Sequence, residues 1–275
     1  MTGASRGIGA GIARRLAAEG ARVALVARSL GDGDEPEGSL RGTQALCKGT
    51  VVVVVADLTD DDDRARVVPE AVQKLGGPID ILVNNAAAAV RRPLTEVSPR
   101  HQRLMFEANV ITPLVLSQAV IPDMRKSGQG WIVNLSSAGA ERFPGPPFYT
   151  NPVGSIMDVY GATKAALNRV TNGLAVELYG TGIRINAVQP RSAVMSEGMG
   201  SLADHLGKDM FEEIEETVEA VVALCDCAPD QTGQVTVSLD LIAHQALTVR
   251  GLDGDALSGD AVSIRARRTS IEARP

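Results

Sequence analysis

A tyrosine and a lysine, Tyr160 and Lys164, stand four residues apart in a stretch whose apolar periodicity predicts a helix. Residues at this spacing lie on the same face of a helix, one turn from each other. A tyrosine hydroxyl, with a pKa of about 10, is a poor base near neutrality, but a neighbouring ammonium favours the phenolate and lowers that pKa. Tyr160 could therefore donate a proton to a carbonyl oxygen or accept one from an alcohol. The alternative is a chance meeting of an aromatic residue and a lysine on a helix surface.

Two serines, Ser136 and Ser137, follow a predicted strand over residues 131–135. Open parallel sheets bind ligands outside the carboxyl ends of their strands. A hydroxyl at that edge can hydrogen-bond a carbonyl oxygen on which negative charge develops. From the residues alone, both serines are candidates for this role.

Three glycines, Gly3, Gly7 and Gly9, precede a predicted helix over residues 12–19. Glycine lets the backbone turn tightly and approach a ligand closely, and the free N–H groups of a helix start favour an anionic phosphate. Plain helix-entry loops have a similar composition, so this turn alone is weak evidence. A dinucleotide-binding turn should also follow a buried strand, whereas only Met1 precedes Thr2.

The elements that must position these residues alternate along the chain. Strands are predicted over residues 22–27, 51–55, 79–83, 131–135, 183–188 and 234–239. Helices are predicted over residues 12–19, 60–75, 98–126, 159–179 and 210–224, with Pro113 and Pro122 interrupting or kinking the third. This alternation predicts an α/β fold, a doubly wound parallel sheet with helices on both faces.

Length and composition favour one large globular domain. The chain has 275 residues, of which 44% are hydrophobic and 22% charged, and its net charge of −6 argues against nucleic-acid binding. No apolar run approaches the roughly 20 residues that span a bilayer, and the N-terminus lacks the order of a signal peptide. We therefore expect a cytoplasmic protein with no membrane partner. The cysteines, Cys47, Cys225 and Cys227, predict neither a disulfide framework nor a metal site.

In chain order, the glycine turn, Asp57, Asn84-Asn85-Ala86, Asn109, Ser137 and the Tyr160 to Lys164 motif resemble the short-chain dehydrogenase/reductase family over roughly residues 2–240. The resemblance implies a Rossmann-type fold and hydride transfer between a nicotinamide cofactor and a carbonyl or alcohol. The catalytic residues that it implies are Asn109, Ser137, Tyr160 and Lys164, with Asn109 tying a water chain to the lysine. The cofactor-binding residues are expected to be Gly3, Ser5, Arg6, Gly7, Ile8, Gly9, Arg28, Asp57, Leu58, Asn84, Tyr160, Lys164, Pro190 and Ala193.

Cofactor choice depends on the residue that ends the strand over residues 22–27. A carboxylate there selects NAD, whereas an arginine accommodates the 2′-phosphate of NADP. This chain has Arg28 at that point and Arg6 inside the glycine turn. Two guanidinium groups predict NADP(H) as the preferred cofactor, with NAD(H) as the alternative. The negative charges of the acidic loop from Asp32 to Glu37 oppose binding of the 2′-phosphate and so favour NAD(H).

Two departures from the family pattern concern the strands and the loop before the tyrosine. The first strand, which would be central in the sheet, is missing, so its neighbours should be unpaired. We expect the natural start to lie upstream and a chain extended in that direction to be more stable. Ser137 and Tyr160 are 23 positions apart, more than is usual in the family, and we expect the excess over residues 141–157 to shape the substrate pocket.

A third departure follows the strand over residues 183–188, where the family usually has Pro-Gly and then a threonine that meets the nicotinamide amide. Here the chain reads Pro190-Arg191-Ser192-Ala193. The backbone of Ala193 and the hydroxyl of Ser192 or Ser196 are the expected replacements.

We expect residues 1–242 to form the dehydrogenase domain and residues 243–275 a weakly structured tail. The expected function is NADP(H)-dependent oxidoreduction of a 3-oxoacyl, steroid or similar ketone substrate. The alternative is a cofactor-binding but catalytically idle sensor or scaffold. By the same resemblance, the helices over residues 98–126 and 158–180 would pair across subunits in a homodimer or homotetramer.

Overall fold

The structure is a computed structural model that describes residues 1–31, 38–148, 157–194 and 211–257. Its strands are β1 (Val23–Ala27), β2 (Val51–Val55), β3 (Ile81–Asn84), β4 (Gly130–Leu135), β5 (Ile183–Gln189), β6 (Ala193–Val194), β7 (Phe211–Glu212) and β8 (Val235–Val237). Its α-helices are α1 (Gly7–Ala18), α2 (Leu40–Leu46), α3 (Asp61–Leu75), α4 (Pro99–Phe106), α5 (Thr112–Ser127), α6 (Asp158–Leu178), α7 (Ile214–Leu224) and α8 (Ser238–His244).

The sheet is parallel and is covered on both faces, as predicted. Strand β1 pairs with β2, and β3, β4, β5 and β8 pair in that order. Successive side chains of a strand point to opposite faces, and Ile132 and Val133 accordingly belong to different core clusters. Helices α1 and α7 cover the face of Val133, whereas α3 and α5 cover the face of Ile132. The fold is therefore doubly wound.

At the central position between β1 and β3 lies the N-terminal segment from Met1 to Ala4, and within it Thr2 contacts both neighbouring strands. It forms a parallel bridge with Val26, and its N–H donates to the Val83 carbonyl over 3.1 Å. Beside it, between the two strands, lies an apolar cavity of about 180 Å³, whose lining includes Leu82 and Leu116. Met1 and Ala4 also bond β1, since the Met1 amino group donates to the Ala24 carbonyl, the Val26 N–H to the Met1 carbonyl and the Ala4 N–H to the Val26 carbonyl. The expectation that the neighbours of the missing first strand are unpaired is therefore not met along this part of β1.

Local patterns predicted several elements closely. The five valines of β2 form the predicted strand, and α3 contains Pro69 without a break. The Asp60 carboxylate caps α3 by accepting from the N–H groups of Asp62 and Asp63. Within β2 only Val54 is fully buried, because β2 lies at the edge of the sheet.

Three predicted elements differ in their bounds. The helix expected over residues 98–126 is divided by a π-helical segment, Glu107–Ile111, that ends before Pro113, while Pro122 is accommodated within α5. The helix expected from residue 210 begins at Ile214, since Phe211–Glu212 pairs with Ala193–Val194. The last predicted strand ends at Val237, and α8 follows it directly.

The segment after α8 packs against the domain up to Leu257, in contrast to the weak attachment expected from the sequence. Val249 is buried in the core, the Arg250 N–H donates to the Glu219 carboxylate over 3.1 Å, and Asp253 pairs with Arg14 at 3.1 Å. These contacts join residues 243–257 to α1 and α7. The remainder of the predicted tail lies outside the described residues.

The run Pro99–Ser127 is long and apolar enough to cross a membrane, with a mean hydropathy of 1.5 in its most apolar window. This contradicts the expectation that no run reaches that length. Half of the window is buried inside the domain, where Leu116, Val120 and Met124 pack against the sheet. Such burial is typical of a core helix.

Candidate active site

The glycine turn is held against the end of β3 by Thr2 and Asn85. The Thr2 hydroxyl accepts from the N–H groups of Asn85 and Ala86, and the Asn85 amide donates to the carbonyls of Thr2 and Gly3. Gly3 has a φ of +64°, which favours glycine. A Cβ added to Gly9 would overlap the Gly3 carbonyl, 2.8 Å from its carbon. The turn therefore needs glycine at both positions.

This turn leads into the start of α1, where no side chain caps the backbone. Arg6 is the N-cap residue, and its side chain accepts no hydrogen bond. The first N–H groups of a helix have no intrahelical partner and, with the helix dipole, attract anions. The glycine cradle and these donors fit the phosphates of a dinucleotide.

A cleft of about 620 Å³ extends from the turn across the carboxyl ends of β1, β2 and β3. Nine of the predicted cofactor-binding residues line it: Gly3, Ser5, Arg6, Gly7, Ile8, Gly9, Arg28, Asp57 and Leu58. Asn85 lines it too, whereas Asn84 does not. Asn84 is buried in the sheet and donates to the side chain of Asn134 over 2.9 Å. The geometry thus brings the second asparagine of the predicted motif, not the first, to the cleft.

Two charged side chains, Arg28 and Asp57, line the same cleft as the glycine cradle. The Arg28 guanidinium lies 3.9 Å from the Asp57 carboxylate, and the Arg28 side chain is 75% exposed. Hydrogen bonds from the Thr59 hydroxyl and N–H, assisted by Arg28, lower the pKa of Asp57. Asp57 is therefore ionised at neutral pH, and Arg28 retains an exposed face for a ligand.

The predicted catalytic serine and tyrosine meet where β4 ends and α6 begins. Ser137 accepts from the Gly139 N–H over 3.2 Å in a 3₁₀ turn, and its side chain is close enough to the Tyr160 hydroxyl to act on the pKa of that group. Helix α6 approaches this turn so closely that a Cβ on Gly161 would lie 3.1 Å from the Gly139 carbonyl carbon. Ser136, the other candidate, is buried. The hydroxyls of Ser137 and Tyr160 therefore lie near each other at the carboxyl edge of the sheet.

Lys164 is buried beneath this pair. Its ammonium donates to the Leu135 carbonyl over 2.6 Å and stands 5.6 Å from the centre of the Tyr160 ring. Burial lowers the pKa of Lys164 to about 8. Burial also raises the pKa of Tyr160, an effect that the Ser137 side chain opposes. The expectation that the lysine lowers the tyrosine pKa is therefore not met in this structure, where desolvation is the larger effect, and the hydroxyl is protonated at neutral pH.

Asn109 lies within the π-helical segment and is fully buried. Its amide donates to the Ala88 carbonyl and the Thr163 hydroxyl, both over 2.9 Å, and accepts from the Ala88 N–H over 2.8 Å. The residue thus connects the loop after β3 to α6. Its predicted role in a water chain to Lys164 remains a prediction. Its partner Thr163, which sequence reasoning missed, lies beside Lys164 and had no distinguishing pattern.

The segment after β5 lies at the same edge of the sheet. The Arg191 N–H donates to the Glu212 carboxylate over 2.9 Å, and the Arg191 guanidinium pairs with Asp240. Pro190 and Ala193 are part of this loop but do not line the cleft of the glycine turn. Ser192 is half-buried, and Ser196 lies outside the described residues. Sequence reasoning did not identify Glu212, because only the fold brings it next to Arg191.

Comparison with known proteins identifies the family. The short chain dehydrogenase family matches residues 1–205. Human L-xylulose reductase is 34% identical over 248 residues, which cover 86% of this chain and 91% of that protein.

Two solved structures have the same fold. L-sorbose reductase from Gluconobacter frateurii, complexed with NADPH and L-sorbose, has a TM-score of 0.71 and 28% identity. The 3-ketoacyl-(acyl-carrier-protein) reductase from Brucella melitensis, complexed with NADH, has a TM-score of 0.72 and 27% identity. Each match covers 86% of this chain, and 92% and 93% of the respective neighbour. The chain therefore belongs to the short-chain dehydrogenase/reductase family of NAD(P)-dependent oxidoreductases.

Proposed function

We propose that this protein is an NADP(H)-dependent reductase of a small ketone, with Tyr160 as the proton donor. The observation that carries the proposal is that the side chains of Ser137 and Tyr160 meet beside the buried ammonium of Lys164. A proton donor and a hydrogen-bond donor that converge on one point are what the reduction of a carbonyl requires. An idle sensor or scaffold would not need this pair, and the named relatives are reductases.

In this proposal the bound cofactor supplies a hydride to the carbonyl carbon, and the protein manages the charge on the oxygen. Ser137 hydrogen-bonds that oxygen and so stabilises the developing negative charge. Tyr160 donates its hydroxyl proton to the same oxygen, which completes the alcohol. The ammonium of Lys164 stabilises the tyrosinate that remains until solvent returns the proton. Asn109, through Thr163, keeps α6 in place for this transfer.

The cradle of Gly3, Gly7 and Gly9 would hold the pyrophosphate, and Arg6 and Arg28 would hold the 2′-phosphate. Both arginines line the cleft, and both are exposed. A guanidinium binds phosphate through charge-assisted hydrogen bonds. Asp57, which is ionised, would lie beside the adenine with Leu58. Because Arg28 is within 3.9 Å of this carboxylate, it offsets a charge that would otherwise repel the 2′-phosphate.

For the substrate, we propose that keto sugars be tested beside 3-oxoacyl and steroid ketones. Two of the relatives act, by their names, on L-xylulose and L-sorbose. Polar groups also follow Ser137 in this chain, where the Gln189 amide donates to the Glu141 carboxylate over 2.7 Å. Hydroxyl-rich substrates need such partners. We also propose that residues 141–157 shape the substrate pocket. Residues 149–156 of this segment lie outside the described residues.

We further propose a cytoplasmic homodimer or homotetramer that associates through α4, α5 and α6. Large apolar side chains are exposed on α4 and α6 and directly after α6: Phe106 is 42% exposed, Val176 73%, and Tyr179, which follows α6, 76%. Exposed apolar surface of this kind marks an interaction site. Sedimentation of the purified protein tests the proposal, and a monomer at micromolar concentration would contradict it.

The function is tested by following NADPH oxidation with a panel of ketones that includes L-xylulose, L-sorbose, a 3-oxoacyl thioester and a steroid ketone. We expect turnover of at least one class and its loss in Tyr160→Phe. NADPH binding without turnover of any ketone would favour the idle alternative.

A further inference from the structure

A buried carboxylate lies behind the loop that follows β5. Glu212 is 1% exposed, and no Lys or Arg forms an ion pair with it among the described residues within 4.0 Å. Burial raises its pKa, and hydrogen bonds from the Thr217 hydroxyl and the Arg191 N–H oppose this shift. A buried carboxylate is unfavourable unless its oxygens are satisfied. We therefore examine which groups the Glu212 carboxylate holds in place.

Two separate elements donate hydrogen bonds to this one side chain. One carboxylate oxygen accepts from the Arg191 N–H over 2.9 Å, and the other accepts from the Thr217 hydroxyl over 2.7 Å. Ser238, at the start of α8, is fully buried, but its hydroxyl has no hydrogen-bond partner among the described residues. Glu212 thus connects the loop after β5 to the start of α7.

The loop has a second attachment beside the first. Ala193 and Val194 pair in parallel with Phe211 and Glu212, so the backbone of β7 holds one end of the loop and the Glu212 side chain holds the other. Arg191 stands where the family pattern has glycine. A residue with a side chain has less backbone freedom than glycine, and the carboxylate fixes its N–H in one direction.

We propose that Glu212 is a positioning residue that holds the loop from Pro190 to Val194 in the conformation that receives the nicotinamide end of NADPH. This inference rests on the proposed function. Glu212 does not touch the cofactor. It acts by holding the backbone N–H of Arg191. Its loss should weaken the binding of the nicotinamide half of the cofactor and spare the adenine half, which binds at the glycine turn and Arg28.

The test compares two ligands on three variants by titration calorimetry. NADPH probes the whole site, and 2′,5′-ADP probes only the adenine half. In Glu212→Leu the Arg191 N–H loses its acceptor, and we expect the Kd for NADPH to rise about tenfold while that for 2′,5′-ADP changes less than about twofold. Glu212→Gln keeps one oxygen for the Arg191 N–H, so it should restore NADPH binding to within about threefold of the unmodified protein.

Glu219→Gln is the matched control. It neutralises another buried carboxylate of the same region, which pairs with Arg15 at 2.7 Å. It should lower Tm without changing the ratio of the two Kd values. Equal weakening of both ligands in Glu212→Leu, or an unchanged Kd for NADPH, would overturn the inference. So would a Glu212→Gln variant as impaired as Glu212→Leu.

Hydrogen exchange separates this inference from the proposed function. The Arg191 amide should be protected in the unmodified protein and in Glu212→Gln, and should exchange at least about tenfold faster in Glu212→Leu. If the unmodified protein binds neither ligand, the proposed function fails. Hydrogen exchange then still decides whether Glu212 holds the loop, and unchanged protection in Glu212→Leu would refute that link.

Discussion

Removing the Arg28 guanidinium should convert a preference for NADPH into near equality between the two cofactors. The side chain stands at the end of β1, is 75% exposed, and lies 3.9 Å from Asp57. It can therefore turn a charged face to the 2′-phosphate, which only NADPH carries. In Arg28→Ala that interaction is lost and the adjacent carboxylate remains.

The magnitude follows from the exposure. A hydrogen bond to a charged group contributes about 1.5–3 kcal/mol when shielded from water, whereas exposed ion pairs contribute about 0.2–1 kcal/mol. For a partly exposed site that the ligand covers, we take an intermediate interaction free energy of about 1.4 kcal/mol. This corresponds to a change of about tenfold in kcat/KM. Because Thr59 is the main cause of the low pKa of Asp57, the carboxylate stays ionised in the variant and opposes the phosphate.

The assay is kcat/KM for NADPH and for NADH with one ketone at saturating concentration. We expect Arg28→Ala to lower kcat/KM for NADPH about tenfold and to change the value for NADH less than about twofold. Arg125→Ala, which removes an exposed arginine from α5 outside the cleft, should alter neither. Equal losses with both cofactors, or an unchanged value for NADPH, would refute the assignment of Arg28 to the 2′-phosphate.

Three further outcomes are expected. Gly9→Ala should raise the Kd for NADPH at least about tenfold, because its Cβ would overlap the Gly3 carbonyl. Gly173→Ala is the control, because its Cβ would meet only the end of the Arg169 side chain. Equal changes of Kd in the two variants would contradict the assignment of Gly9 to the cofactor site. The value of kcat/KM for ketone reduction should fall as pH rises through about 8, where the buried Lys164 loses its proton; a flat profile between pH 7 and 9.5 would refute the need for the ammonium. Glu219→Ala should lower the free energy of unfolding by about 1–3 kcal/mol, because the buried Arg15 loses its 2.7 Å partner and keeps Glu19 at 2.8 Å. A loss below about 0.5 kcal/mol by urea denaturation would show that the pair is not needed.

Much of the fold could be predicted because local patterns decide it. The valines of β2 and the capped, acidic start of α3 carry their structure in their own residues. The meeting of Ser137 and Tyr160 followed from the motif, since one ends a strand and the other begins a helix. The 23 positions that separate Ser137 from Tyr160 along the chain do not prevent the two side chains from meeting.

The remainder depends on contacts between distant residues. The π-helical segment around Asn109, the role of Asn85 at the glycine turn and the attachment of residues 243–257 have no local signal. The same holds for the protonation of Tyr160, since burial in the folded chain outweighs the effect of a lysine one turn away. Glu212 is similar, because its partner Arg191 lies 21 positions earlier in the chain.

The central claim is that Tyr160 delivers the proton in an NADPH-dependent carbonyl reduction. The most direct test is a single-turnover measurement of NADPH oxidation by the unmodified protein and by Tyr160→Phe, with the best ketone of the panel. We predict that the variant binds NADPH with an unchanged Kd but oxidises it about 10²–10⁴ times more slowly. A variant that retains the rate of the unmodified protein would contradict the account.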